Sequence, residues 1–74
     1  PQARKVKISG KGLEYNWLLN ALRRNGYAEA QESDLSIEIR KNGSLNYVLR
    51  KQPGKSIETG SIENLIHHMK SLEG

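Results

Sequence analysis

The sequence predicts an α+β domain: an α-β-β-β-α two-layer sandwich, with a three-stranded antiparallel sheet and two helices on one of its faces. Three observations predict it. Two segments, one in each half of the chain, carry apolar residues at helical spacing. Between them, two runs of alternating apolar and polar residues flank Asn42-Gly43. Finally, 74 residues without a cysteine allow one thin core and no disulfide scaffold. Residues 1–74 are therefore expected to form a single domain, with no linker, internal repeat or low-complexity tract.

Each element follows in chain order. Val6 and Ile8 alternate with Lys5 and Lys7, the pattern of a short extended opening segment that could serve as an edge strand protected by its lysines. Leu13, Trp17, Leu18, Ala21 and Leu22 keep helical spacing, with Glu14 near the start and Arg23 and Arg24 near the end, where each complements the helix dipole. Asn25-Gly26 closes this helix, glycine being free to take the left-handed conformation, and Tyr27 to Gln31 runs extended. Leu35, Ile37 and Ile39 share one face of a strand, opposite Ser36, Glu38 and Arg40. Asn42-Gly43 then supplies two positive φ angles for a tight hairpin, and Leu45, Tyr47 and Leu49 continue the apolar face. Gln52-Pro53-Gly54 turns the chain again, into a short strand or extended stretch around Ile57. Ser61 is placed to cap a second helix, with Glu63 in its first turn and a stripe of Ile62, Leu65, Ile66, Met69 and Leu72 facing the sheet.

Composition narrows the function. Without cysteine there is no thiolate metal site, and a reducing cytosol is the expected setting. No apolar run approaches the roughly 20 residues that span a bilayer, and the start PQARKVKISG has no signal-peptide core, so a soluble cytoplasmic protein is expected. The net charge of +4 is segregated. Arg4, Lys5, Lys7 and Lys11 precede any acid, and Arg40, Lys41, Arg50, Lys51 and Lys55 share an acid-free stretch. Four of the eight acids gather at Glu29, Glu32, Asp34 and Glu38. Such segregation favours a polyanion, because contacts to phosphate release counterions; the competing explanation is a basic, solvated surface with no specific partner.

Chemistry-bearing groups are few. His67 and His68 alone titrate near neutral pH, but neighbours on a helix point about 100° apart and both fall off the apolar stripe, so a solvent-facing role is expected rather than catalysis or a shared metal. Gly54-Lys55-Ser56 ends like a phosphate-binding loop but lacks the upstream glycine. No metal, cofactor or small-molecule substrate is expected. Arg40, Lys41, Arg50 and Lys51, at strand ends of the hairpin, are expected to form one basic edge with Lys55 that positions a nucleic-acid backbone. Trp17, Tyr27 and Tyr47 are expected in the core.

Taken in order, ISGK (Ile8 to Lys11), LLNALRRNGY (Leu18 to Tyr27), RKNG (Arg40 to Gly43) and PGKSIETGSIENLI (Pro53 to Ile66) resemble the HicA family of bacterial toxins. The resemblance implies a fold like the double-stranded RNA-binding domain, an mRNA-cleaving endoribonuclease ancestry, RNA as ligand and a HicB-like antitoxin as partner. It also implies a catalytic histidine on the first long strand. Here that stretch reads QESDLSIEI, and the histidine position falls on Ser36, or on Asp34 if the gap is placed differently. Neither replaces an imidazole as general base, so RNA binding without cleavage is the expectation. Two alternatives stand beside it: a non-enzymatic double-stranded-RNA-binding module, and a small mobile-element protein that binds another protein through an open sheet edge. A shortened phosphotyrosine-binding domain is excluded because Gln31 stands where its arginine would be.

Overall fold

The computed structural model describes residues 3–10 and 12–73, apart from the side chains of Leu13, Asn42 and Glu73; Lys11 in the basic opening and the Leu13 side chain in the helical stripe thus lie outside the described residues. The elements are β1 (Arg4–Ser9), α1 (Leu13–Arg24), β2 (Tyr27–Glu29), β3 (Leu35–Asn42), β4 (Ser44–Lys51), β5 (Lys55–Thr59) and α2 (Ile62–Glu73). The strands form one five-stranded sheet in the order β2-β1-β3-β4-β5. β1 pairs in parallel with both β2 and β3, whereas β3 with β4 and β4 with β5 are antiparallel.

This corrects the expected three-stranded antiparallel sheet: the class remains α+β, but the sheet is mixed and larger. The physical reason is the form of the sequence signal. Antiparallel neighbours are joined by tight turns that leave a local mark, whereas parallel neighbours need a crossover that leaves none. Here α1 is that crossover, carrying the chain from β1 to β2. β1 is consequently an interior strand, and the edges are β2 and β5.

The chain then passes from one side of β1 to the other within the stretch from Ala30 to Asp34. Hydrogen bonds to β1 hold this crossing: the Ala30 amide donates to the Val6 carbonyl (2.8 Å) and the Ser33 hydroxyl donates to the Lys5 carbonyl (2.8 Å). Ser33 Oγ also accepts from the Leu35 amide (3.1 Å), which starts β3. The Gln52 amide donates to the Asp34 carbonyl (2.8 Å), tying the β4–β5 turn to the same place.

Both helices cover one face of the sheet, and the core is the seam between the layers. Leu18 and Leu22 from α1 and Leu65 and Met69 from α2 meet Val6, Tyr27, Leu35, Ile37, Tyr47 and Leu49 from the strands. α1 ends as its sequence suggests, with the Asn25 side chain donating to the Ala21 carbonyl (2.8 Å) and Gly26 at φ 88°. Ser61 caps α2: its hydroxyl accepts from the Asn64 amide (3.0 Å).

Two local expectations are corrected. The hairpin does not place two residues at positive φ; Asn42 pairs with Ser44 inside the ladder and Gly43 alone takes the left-handed conformation, at φ 86°. Trp17 is not in the core but 62% exposed. The buried arc of α1 is centred on Leu18, Ala21 and Leu22, and Trp17, about 100° around the helix from Leu18, lies at its margin.

Candidate functional site

The hairpin register decides whether the five basic residues form one surface. Along a strand, alternate side chains take opposite faces. Arg40 and Arg50 fall with Ser36, Glu38 and Val48 on the face away from the helices, while Lys41, Lys51 and Lys55 fall on the helix side. The ends differ as well: Lys41 pairs with Leu45 beside the Gly43 turn, whereas Lys51 pairs with Leu35 and Lys55 roughly 20 Å away along the strands. The structure thus brings together Arg40 with Arg50, and Lys51 with Lys55, but does not assemble all five into one edge.

Most of these cations already have an acidic neighbour. Glu38 lies between the two arginines, Arg50 Nη1 at 2.8 Å and Arg40 Nε at 3.4 Å. The hydrogen bond from Arg50, then that from Arg40, holds the Glu38 carboxyl below its ordinary pKa. Lys41 Nζ meets Glu14 of α1 at 2.6 Å, and its hydrogen bond lowers the Glu14 pKa, helped by a backbone hydrogen bond. Lys51 Nζ lies 3.4 Å from Asp34. Lys55 is exposed, with no ion pair among the described residues. Sequence reading grouped these residues by sign and missed the carboxylates that long-range folding sets beside them.

The open face is more than a row of charges. Register aligns Lys7, Ser36, Arg50 and Ser56 across four strands, and Ser9, Glu38, Val48 and Glu58 across the next row. Val48 is 4% exposed although neither α1 nor α2 covers this face, so the side chains around it supply its cover. Ser36 is half-buried between Lys7 and Arg50 by register, and Asp34 is exposed at the start of β3. Thus neither position of the implied catalytic histidine has an imidazole as a register neighbour. His67 and His68 meet edge to face at 5.9 Å between ring centres, His67 exposed and His68 half-buried. Among the described residues no three histidines, aspartates or glutamates gather as a metal site.

A different surface stands out on the helix layer. Trp17, Asn20, Ala21 and Arg24 follow helical spacing along α1 and, with Arg23 and Ile62 at the start of α2, line an open groove between the helices. Trp17 is the exposed large apolar side chain of the described residues, and it is also the chain's single tryptophan. Arg23 and Arg24 are exposed and form no ion pair among the described residues. The available sequence signal was the width of the α1 stripe: a helix packing one side on a thin core buries a narrower arc than the five apolar residues from Leu13 to Leu22 occupy. Further along the same helix, Tyr15 donates its hydroxyl hydrogen bond to Glu29 of β2, a contact that raises the Tyr15 pKa and ties α1 to the sheet edge.

No helix of the described residues is long and apolar enough to cross a membrane. No curated protein and no solved structure matches the chain. One family model does, the iron ABC transporter C-terminal domain, and its match runs over residues 3–70, from the start of β1 into the last turn of α2. A match of that extent covers every strand, the crossover helix and all but the end of α2, and by it the chain belongs to the family of iron ABC transporter C-terminal domains.

Proposed function

We propose that this domain is a non-catalytic accessory module of an iron ABC transporter, situated in the cytoplasm and acting through contacts with other parts of the transporter. The family match carries the reading, because it spans all five strands, α1 and most of α2 instead of a single motif. The surface agrees with it: the exposed groups form a groove on the helices and a charged open sheet face. The lack of cysteine suits a reducing compartment. The test is removal of the segment matching residues 3–70 from the intact transporter, followed by measurement of membrane assembly, iron uptake and ATP hydrolysis. Assembly should persist while iron moved per ATP hydrolysed changes several-fold; unchanged uptake and hydrolysis would overturn the reading.

A second reading has its own observation. Lys5, Lys7, Arg40 and Arg50 share the open sheet face, the arrangement that an RNA backbone requires. In this reading the chain is a HicA-like RNA binder without cleavage, controlled by a HicB-like antitoxin, and Ser36 contacts RNA without serving as a base. Gel shift of a labelled mRNA across a salt series tests it. Binding that weakens steeply with salt, without strand scission, supports it, and no shift at low salt removes it.

A further inference from the structure

The α1–α2 groove combines three properties that a solvated surface does not require together. First, it exposes a large aromatic: Trp17 is 62% accessible, on a helix whose adjacent residue Leu18 is completely buried. Second, Ala21 and Ile62 add apolar lining beside the tryptophan. Third, its rim carries two arginines without carboxylate partners among the described residues, whereas the four hairpin cations Arg40, Lys41, Arg50 and Lys51 each have one. An aromatic anchor beside arginines that form no ion pair among the described residues is the composition of binding hot spots.

We propose that this groove docks an acidic amphipathic segment of another transporter polypeptide, its aliphatic side chains against Trp17 and Ile62 and its carboxylates on Arg23 and Arg24. The proposal rests on the accessory-module reading and names its contact surface. Charge selects the partner: two arginines without an ion pair among the described residues complement a few carboxylates, and the guanidinium fork donates two parallel hydrogen bonds to a carboxylate. Shape selects a helix, since Trp17, Asn20, Ala21 and Arg24 form a continuous helical strip with Ile62 along its side, the surface into which an amphipathic helix lays its apolar face. A nucleic acid fits less well, because a backbone with a charge at every step needs a longer run of cations than these two.

Trp17, as the chain's one tryptophan, reports the site directly. The chain is titrated with a tryptophan-free amphipathic peptide carrying leucines at helical spacing and glutamates on its flanks, with the same peptide bearing lysines in place of glutamates, and with a single-stranded RNA oligonucleotide. The glutamate peptide should shift Trp17 emission to the blue and saturate, and the lysine peptide should not. Arg23→Glu with Arg24→Glu should weaken the glutamate peptide at least tenfold and confer binding of the lysine peptide. That exchange is a gain which misfolding cannot produce. An equal response to both peptides, a response to RNA alone, or no response to any of the three would overturn the proposal. Failure here, with iron uptake still sensitive to removal of the domain, would discard the groove and leave the module reading standing; the reverse pattern would discard the module reading, and with it the transporter polypeptide as partner, while leaving the groove's selection of an acidic helix.

Discussion

The hairpin and the last turns of α1 present the same kind of side chain in opposite states. On the hairpin, Arg40 and Arg50 share Glu38, Lys41 holds Glu14 and Lys51 faces Asp34. On α1, Arg23 and Arg24 flank an exposed tryptophan and meet no carboxylate among the described residues. Counting cations along the sequence ranks the hairpin first as a binding surface, whereas pairing them in space ranks α1 first. Charge that the fold already balances contributes less to an external partner, because a ligand must compete with the internal carboxylate for each guanidinium or ammonium.

The comparison breaks most readily on α1 itself, where neighbouring residues differ completely in burial. Leu18→Ala removes a fully buried side chain and should cost about 2–5 kcal/mol in denaturant unfolding, a large share of the stability of a domain this small. Trp17→Ala removes a larger side chain from the exposed margin and should stay within about 0.5 kcal/mol while abolishing the groove's ligand. If Trp17→Ala destabilised the chain as Leu18→Ala does, the tryptophan would be a packing residue and the contrast between the regions would collapse.

A smaller effect tests the hairpin side. Glu38→Gln removes the shared partner of Arg40 and Arg50 and should raise affinity for a polyanion several-fold, steepening its salt dependence by about one unit of slope for each arginine that turns to phosphate. The measurement is a gel shift across a salt series. An affinity unchanged by Glu38→Gln would show that the pairing seen here does not limit the open face.

How far these features were legible in the sequence depended on their range. The helices were legible because their signals are local: stripe, Gly26 at one end, Ser61 at the other. The β3–β4 pairing was legible from alternation about Gly43, although the chain turns more tightly there than an Asn-Gly pair suggested. The parallel partners of β1 were not, since Arg4 meets Tyr27 and Lys7 meets Ser36 across a helix and a crossing loop that carry no pairing mark. That the five basic residues do not share one edge was illegible for the same reason. Glu14 lies far from Lys41 in sequence, and consecutive strand ends of a hairpin lie at opposite ends in space. Trp17 required knowing how narrow an arc of α1 the sheet would cover.

The finest distinction between the two regions is their response to acid. The carboxyls of Glu38 and Glu14 have their pKa values lowered in the folded chain, first by the hydrogen bond from Arg50 and from Lys41, respectively. A carboxyl whose folded pKa lies below its unfolded value contributes stability that is present above the unfolded pKa and lost as pH falls through the folded one. The domain should therefore lose stability as pH drops below about 4.3, the ordinary glutamate value. Glu14→Gln or Glu38→Gln should each lower stability at neutral pH slightly and flatten that acid limb. Arg23→Gln and Arg24→Gln should leave the limb's shape as it is, since neither arginine forms an ion pair with a carboxylate among the described residues. Because the hairpin pairs are solvent-accessible, added salt should shrink the difference, which separates screened ion pairs from a packing defect that salt would not repair. Acid limbs that respond alike to substitutions in both regions would mean that the α1 arginines are also internally balanced, and the basis for treating the groove as the available surface would be gone.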